Sequence, residues 1–381
     1  MSKIHSHEIS VVVQGPVSQS TKLCIESVRK FLPESFIIVS TDTSSKIDNF
    51  EIDCDKLIIS PDVGAKYSCD ISDTKPNNVN RQIVSTFSGI KEVKTKYTLK
   101  LRSDFLLTGD SFLDYFDKYN NFNSEERFFE KRILACTCYT KRPRKSRFIT
   151  SKGTAYPYHL SDFVHFGLST DLYKLWDIDL ASDQDLNWFN SNNSIKNEGF
   201  SRYRYTAEQQ ILVQFMKKNN IKYFAQYFCD RTELNAKHTD LIIANNFVLL
   251  SFENFCIEPL KDMFKPKINF SFYYTLCYLT SYTHHNWLNL YKNYCCPSID
   301  IALLDYELPK QVLPFCFLIL SGFGLSKNSQ NLKTHIKNFI LPSKISLNWF
   351  KEPFLVTFYL SKILIKFTSK VLSIAFKKMF S

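Results

Sequence analysis

The chain has 381 residues, 44% of them hydrophobic and 15% aromatic, with a formal net charge of +11. That length suits one large domain with an appendage, or two domains, and that apolar content excludes a disordered or fibrous chain. Zinc-finger spacing, an RNP-type strand and heptads are all missing, so the basic charge points to anionic lipid or phosphorylated small molecules rather than nucleic acid.

In chain order, Ile9 to Val13 is a short β-branched run, the mark of a strand buried on both faces, and Gln14-Gly15-Pro16-Val17 breaks it. Ser20-Thr21 caps a helix through Phe31 that Pro33 stops. Phe36 to Val39 and Lys56 to Ile59 read as further strands, ending near Asp42 and Asp62-Val63-Gly64. A helix from about Asn80-Arg81-Gln82 to Val93 places Ile83, Val84, Phe87 and Ile90 on one face. Tyr97, Leu99 and Leu101 then alternate with Thr98, Lys100 and Arg102, a strand that gives way to a loop at Asp104. This alternation predicts an α/β fold: a Rossmann-like, mostly parallel sheet flanked by helices.

The pattern continues with a helix over about 110–119, a strand from Arg132 to Tyr139 and a basic loop, Thr140 to Arg147, holding five Lys/Arg in eight residues. Ser161 to Leu168 is strand-like, and Asp171 to Trp176 starts a helix. Ala181 to Ser201 is a polar, Asn-rich excursion. Thr206 caps a helix opened by Ala207-Glu208-Gln209, and Ile221 to Phe228 reads as one more strand. Beyond about Asp230 the alternation fades. The expected organisation is therefore a catalytic domain over 1–230, a helical, aromatic-rich extension over 231–345, and a C-terminal helix over 346–381.

In that last segment Lys362, Lys366, Ser369, Lys370, Ser373 and Lys377 recur at helical spacing against Leu, Ile, Val and Phe. A basic amphipathic helix of this kind lies in the headgroup region of an anionic leaflet; a core-docked helix is the plainer reading. Val312 to Phe323, the longest mostly apolar run, is too short to span a bilayer. The N-terminal residues carry no apolar signal region, and the eleven Cys form no CxxC pair, which together predict reduced thiols and a cytoplasmic location.

Polar residues gather where strands end, and in open α/β sheets that is where ligands sit. Gln14, Gly15 and Pro16 are candidates for approach to a base or ribose, Asp42 and Asp62 for nucleotide contacts, and Asn80 and Arg81 for phosphate at a helix N-terminus. Asp104 is the candidate for a divalent cation or diphosphate, with Arg102 beside it. Asp162 and His165 are candidates for sugar or acceptor, and Glu208 for a base. Ordinary turns, Asx motifs and helix-end charges explain each of these taken singly. The chain has neither GxGxxG nor GxxxxGK[ST], which removes dinucleotide and P-loop readings.

Taken together, Val11-Val-Val-Gln14-Gly-Pro-Val17, Cys24-Ile-Glu-Ser-Val-Arg29-Lys30, Asn80-Arg81-Gln82, Leu99-Lys-Leu-Arg102-Ser-Asp104, Ser161-Asp162-Phe with Phe166-Gly167, and Glu208-Gln209 resemble the WavE-type lipopolysaccharide-synthesis family. The resemblance covers roughly residues 9–230. It implies similarity to GT-A glycosyltransferases: a nucleotide-sugar donor, a lipid-linked or oligosaccharide acceptor, and often a strand-end DxD holding Mn²⁺ or Mg²⁺. It also implies work at the cytoplasmic face of the bacterial inner membrane, with Asp104 at the diphosphate and Glu208 as base. Here the DxD position reads Arg102-Ser103-Asp104, with one acid where two are expected. A nucleotidyltransferase of similar fold and a non-catalytic membrane-surface scaffold are the alternatives.

Overall fold

The computed structural model describes residues 3–45, 52–65, 77–143, 156–186, 188–192, 203–260 and 280–301. Its elements begin with β1 (Ile9–Gln14), α1 (Gln19–Phe31), β2 (Phe36–Asp42), β3 (Lys56–Ser60), α2 (Val79–Lys91), β4 (Tyr97–Arg102), β5 (Phe105–Leu107) and β6 (Ile133–Cys136). They continue with β7 (Val164–Leu168), α3 (Ser169–Trp176), α4 (Asp183–Leu186), α5 (Trp188–Ser191), α6 (Ala207–Lys218), α7 (Glu233–Asn246), β8 (Phe247–Leu250), β9 (Ile257–Pro259) and α8 (His284–Tyr294).

Seven strands form one mixed sheet in the order β3-β2-β1-β4-β7-β6-β8. The first four run parallel, β7 is inserted antiparallel between β4 and β6, and β8 runs parallel to β6. The α/β, Rossmann-like sheet expected from the alternation of elements is present. All six residues of β1 are buried, because helices cover both faces of a central parallel strand. α2 comes so close that a Cβ on Gly89 would stand 2.5 Å from Val12 Cγ1, so only glycine lets this helix seat on β1 and β2.

This topology has a direct consequence for function. β4 ends at the rim where β1, β2, β3 and β6 also end. Because β7 is reversed, its beginning lies at that same rim: Leu101 pairs with Val164, and Arg102 N–H donates to Phe163 O at 3.1 Å. Asp162 is thereby carried next to Arg102, although 60 residues separate them in sequence.

Three expectations change, and one element is new. The domain does not close near residue 230, because β8 supplies the seventh strand through its parallel register with β6. Ile221 to Phe228 forms no strand. Its amides turn instead to Met216 O (2.8 Å, from Ile221), Tyr158 Oη (3.4 Å, from Phe224), Asp230 Oδ2 (2.9 Å, from Gln226) and Arg204 O (2.6 Å, from Phe228), partners that belong to no strand ladder. The helix expected over 110–119 shrinks to a 3-10 turn, Ser111–Tyr115, followed by Asp117 at φ +59°. β5 pairs with β9 in a separate two-stranded ribbon that has no clear sequence signature. Val312 to Phe323 and the C-terminal basic helix lie outside the described residues. Among the described residues no helix is long and apolar enough to cross a membrane.

Candidate active site

The rim is assembled first from the ends of β1 and β4. Gly15 has φ +138°, and a Cβ there would stand 2.6 Å from Ser103 Oγ. This left-handed turn lets Ser103 N–H reach Gln14 O (2.9 Å) while Ser103 Oγ donates to Pro16 O (3.1 Å). The two loops are thus stitched together, and Pro16 remains exposed. Gln14 itself is buried, and its Nε2 donates to Ser85 Oγ of α2 at 2.9 Å.

Arg102 is the hub. Its Nε and Nη2 donate to the two oxygens of Asp104, each at 3.0 Å, and its Nη1 donates to Asp162 Oδ2 at 3.1 Å. Gln82, in the first turn of α2, also donates to Asp162 Oδ2. From below, Lys100 Nζ donates to the Asp162 backbone carbonyl and lies 5.3 Å from the centroid of the Trp176 ring on α3. Burial pushes the Lys100 pKa down to about 7 against the pull of Asp162. Burial also opposes ionisation of Asp162, but Arg102 and Lys100 outweigh it and hold the carboxyl below its usual range. Arg102 is itself opposed by burial, and the two carboxylates outweigh that and raise it. Arg102, Asp104 and Asp162 are paired with one another, which is the condition for holding them at 7–26% side-chain exposure.

α2 also reaches the end of β3. Arg81 Nε and Nη2 clasp the two oxygens of Asp62, both at 2.6 Å, and Nη1 donates to Asn78 Oδ1 at 3.1 Å. The Arg81 hydrogen bonds hold the Asp62 carboxyl below its ordinary value. Asn80 faces the other way: its amide both donates to and accepts from the Ala181 backbone, at 3.1 and 2.8 Å, pinning the chain that follows α3. Asp42 closes an Asx turn on Ser44 N–H at 2.9 Å. Arg102, Asp104, Asp162 and Gln82 therefore meet, Gln14-Gly15-Pro16 adjoin them through Ser103, and Asn80 and Gln14 spend their amides inside the fold.

Glu208 enters from the N-terminus of α6. Thr206 caps that helix by accepting from Gln209 N–H at 3.3 Å. Burial and then the charge of Asp162 push the Glu208 pKa up to about 7, against Lys141 and the helix-end donors. Its nearest charged-type neighbour is His159 Nε2, 3.6 Å from Oε2. His159, Gln82 and Lys100 were not among the sequence candidates for chemistry. Of these, only Gln82 had a visible signal, its place in the first turn beside Arg81. His165 is fully buried and accepts from Trp176 Nε1 at 3.2 Å, so it belongs to the core.

The donor set bears on the metal that the resemblance implies. Asp104 is the single acid at the DxD position, and both its oxygens face a guanidinium. Among the described residues no three His, Cys, Asp or Glu come together as a cation site. These residues do not form a cage for a hard divalent ion, which takes several oxygen ligands.

This rim, with one arginine bridging two acids and a glutamate of raised pKa beside them, belongs to an α/β, Rossmann-like fold. The chain matches the family described as WavE lipopolysaccharide synthesis over residues 9–312, and it belongs to that family. No curated protein matches the chain.

Proposed function

We propose that the protein is a glycosyltransferase of surface-polysaccharide assembly, moving a sugar from a nucleotide-sugar donor to a lipid-linked or oligosaccharide acceptor. Membership of a lipopolysaccharide-synthesis family supports the pathway. The observation that carries the reading is the convergence of Arg102, Asp104, Asp162 and Glu208 at the carboxyl rim of β4. The donor diphosphate lies over that rim, near the N-terminus of α2 and the Arg81–Asp62 pair. Arg102, 26% exposed in its side chain, supplies the cationic face toward the departing diphosphate, and no step is assigned to a metal.

Glu208 takes the proton of the acceptor hydroxyl. The acceptor oxygen then bonds to the anomeric carbon as the bond from that carbon to the diphosphate oxygen breaks, and nucleoside diphosphate leaves with the electron pair. A carboxyl with a pKa about 7 is suited to this, because the base is then half ionised at neutral pH without being too weak to accept a proton. GT-A architecture and a site of work at the cytoplasmic face of the inner membrane belong to the same proposal. The basic residues of 346–381 are its membrane contact.

The test is a panel of UDP-, GDP-, CMP- and ADP-sugars, with lipid-extract and oligosaccharide acceptors, in Mn²⁺ and in EDTA. Release of nucleoside diphosphate (or of CMP from a CMP-sugar) coupled to glycosylated product supports the reading. Release of pyrophosphate in a parallel arm supplied with nucleoside triphosphate and sugar 1-phosphate identifies a nucleotidyltransferase instead, and no binding of any nucleotide sugar leaves the scaffold reading.

A further inference from the structure

The His159 side chain is only 3% exposed, and its Nδ1 makes no hydrogen bond of good geometry among the described residues, with the Tyr139 backbone as the one main-chain group acting on the ring. A buried polar atom left this way is uncommon and calls for a reason. Its other ring nitrogen faces Glu208. The backbone around it is held with unusual care. Tyr158 has φ +56° and Tyr139 has φ +65°, a region that bulky residues rarely occupy. Gln209 Nε2 donates to Pro157 O at 2.7 Å, and Leu160 N–H donates to Glu208 O at 3.4 Å. The segment 157–160 is therefore fastened to the first turn of α6 on both sides of His159. Tyr158 is locked in turn by its hydroxyl, 2.9 Å from His238 Nδ1.

We infer that His159 is a positioning residue for Glu208: as the Nε2–H tautomer its imidazole donates to the ionised carboxylate and fixes the direction in which that carboxylate meets the acceptor. This rests on the reading of Glu208 as the base. The 3.6 Å separation is the loose spacing expected before substrate tightens the site. Burial and the nearby Lys141 push the His159 pKa down to about 3, so the imidazole stays neutral and does not compete for the acceptor proton. Among the described residues, the charged and titratable groups around Glu208 come from three places: Asp162 before β7, Lys141 after β6, and the neutral Tyr156 and His159 from the chain at 156–159. Among these neutral neighbours, His159 has a ring N–H able to favour the carboxylate without adding charge.

The experiment is an infrared titration of the Glu208 carboxyl in the full-length protein, with Glu208→Gln as the subtraction reference. His159→Phe keeps a ring but removes the donor, and its titration midpoint is expected about one pH unit higher, the size of a hydrogen bond to a charged group. His159→Gln restores a donor and is expected to return the midpoint close to the wild-type value. A His159→Phe midpoint equal to the wild type overturns the inference. Should that variant fail to fold, His159→Asn, with its shorter reach, carries the same expectation. The titration needs no substrate. A moved midpoint in a protein that transfers no sugar would sink the proposed reaction and leave the His159–Glu208 coupling standing. An unmoved midpoint in an active enzyme would do the reverse.

Discussion

The two halves of the sheet solve different problems. In the β3-β2-β1-β4 half, strands run parallel and the core is mainly Val, Ile and Leu. In the β7-β6-β8 half, one strand is reversed and polar groups go inward: Lys100, at the seam, and its register partner His165 are both fully buried. In the proposed reading the parallel half provides the rim for the nucleotide. The reversed strand brings Asp162 to that rim, the segment before that strand brings His159, and the first turn of α6 brings Glu208. Specific chemistry is thus concentrated where the sheet departs from the repeating pattern, and its cost in buried charge is offset by pairing.

The largest effects should come from breaking the seam between the halves. Arg102→Met leaves Asp104 and Asp162 without their partner, and a loss of about 3–5 kcal/mol of stability is expected from denaturant melts, together with loss of donor binding. Glu208→Gln should lower kcat by about 10²–10⁴ while leaving donor affinity within a few-fold, measured by steady-state kinetics and calorimetry.

The pH dependence of the Glu208 substitution sharpens the comparison further. The folded pKa of Glu208 is raised from 4.5 to about 7, so the native state binds the proton more tightly than the unfolded chain. Stability from this group is therefore present at low pH and falls as pH rises from about 4.5 to about 7. Glu208→Gln should raise Tm relative to wild type at pH 8 and leave the difference near zero at pH 4. Turnover of the wild type should rise with pH through about 7, as the base ionises.

Smaller effects should mark the scaffold half. Gly89→Ala drives a methyl into Val12 and Ser40 and should cost about 1–3 kcal/mol, read from melts, with kcat of the folded protein unchanged. Asn80→Ala removes the clamp on Ala181 and should cost about 1–3 kcal/mol, with donor affinity held within about twofold. A large loss of donor affinity in Asn80→Ala would move that residue from scaffold to site.

The same division decides what the sequence made legible. Runs such as Ile9 to Val13 announce buried parallel strands, and with the capped helices between them they fix the order of β1 to β4. The rim residues Arg102, Asp104 and Asp162 were visible as strand-end polar groups. Their mutual contact was not, because it depends on the antiparallel direction of β7. Ile221 to Phe228 misled because a half-buried, aromatic-rich loop has the same composition as a strand, and its hydrogen bonds tell them apart. His159 carries no periodic or spacing signal; its role comes from the left-handed turn at Tyr158 and the helix it lies against. β8 was hidden by its brevity, four apolar residues continuing directly from α7.

The most direct test of the central claim is calorimetric titration of the nucleotide-sugar panel into wild type and Asp104→Asn, with fold verified by circular dichroism. The account predicts that one donor binds the wild type in EDTA and that Asp104→Asn, by loosening the grip on Arg102, changes its affinity by at least tenfold. Equal affinity in the two proteins, or binding that appears only when Mn²⁺ is added, would contradict it.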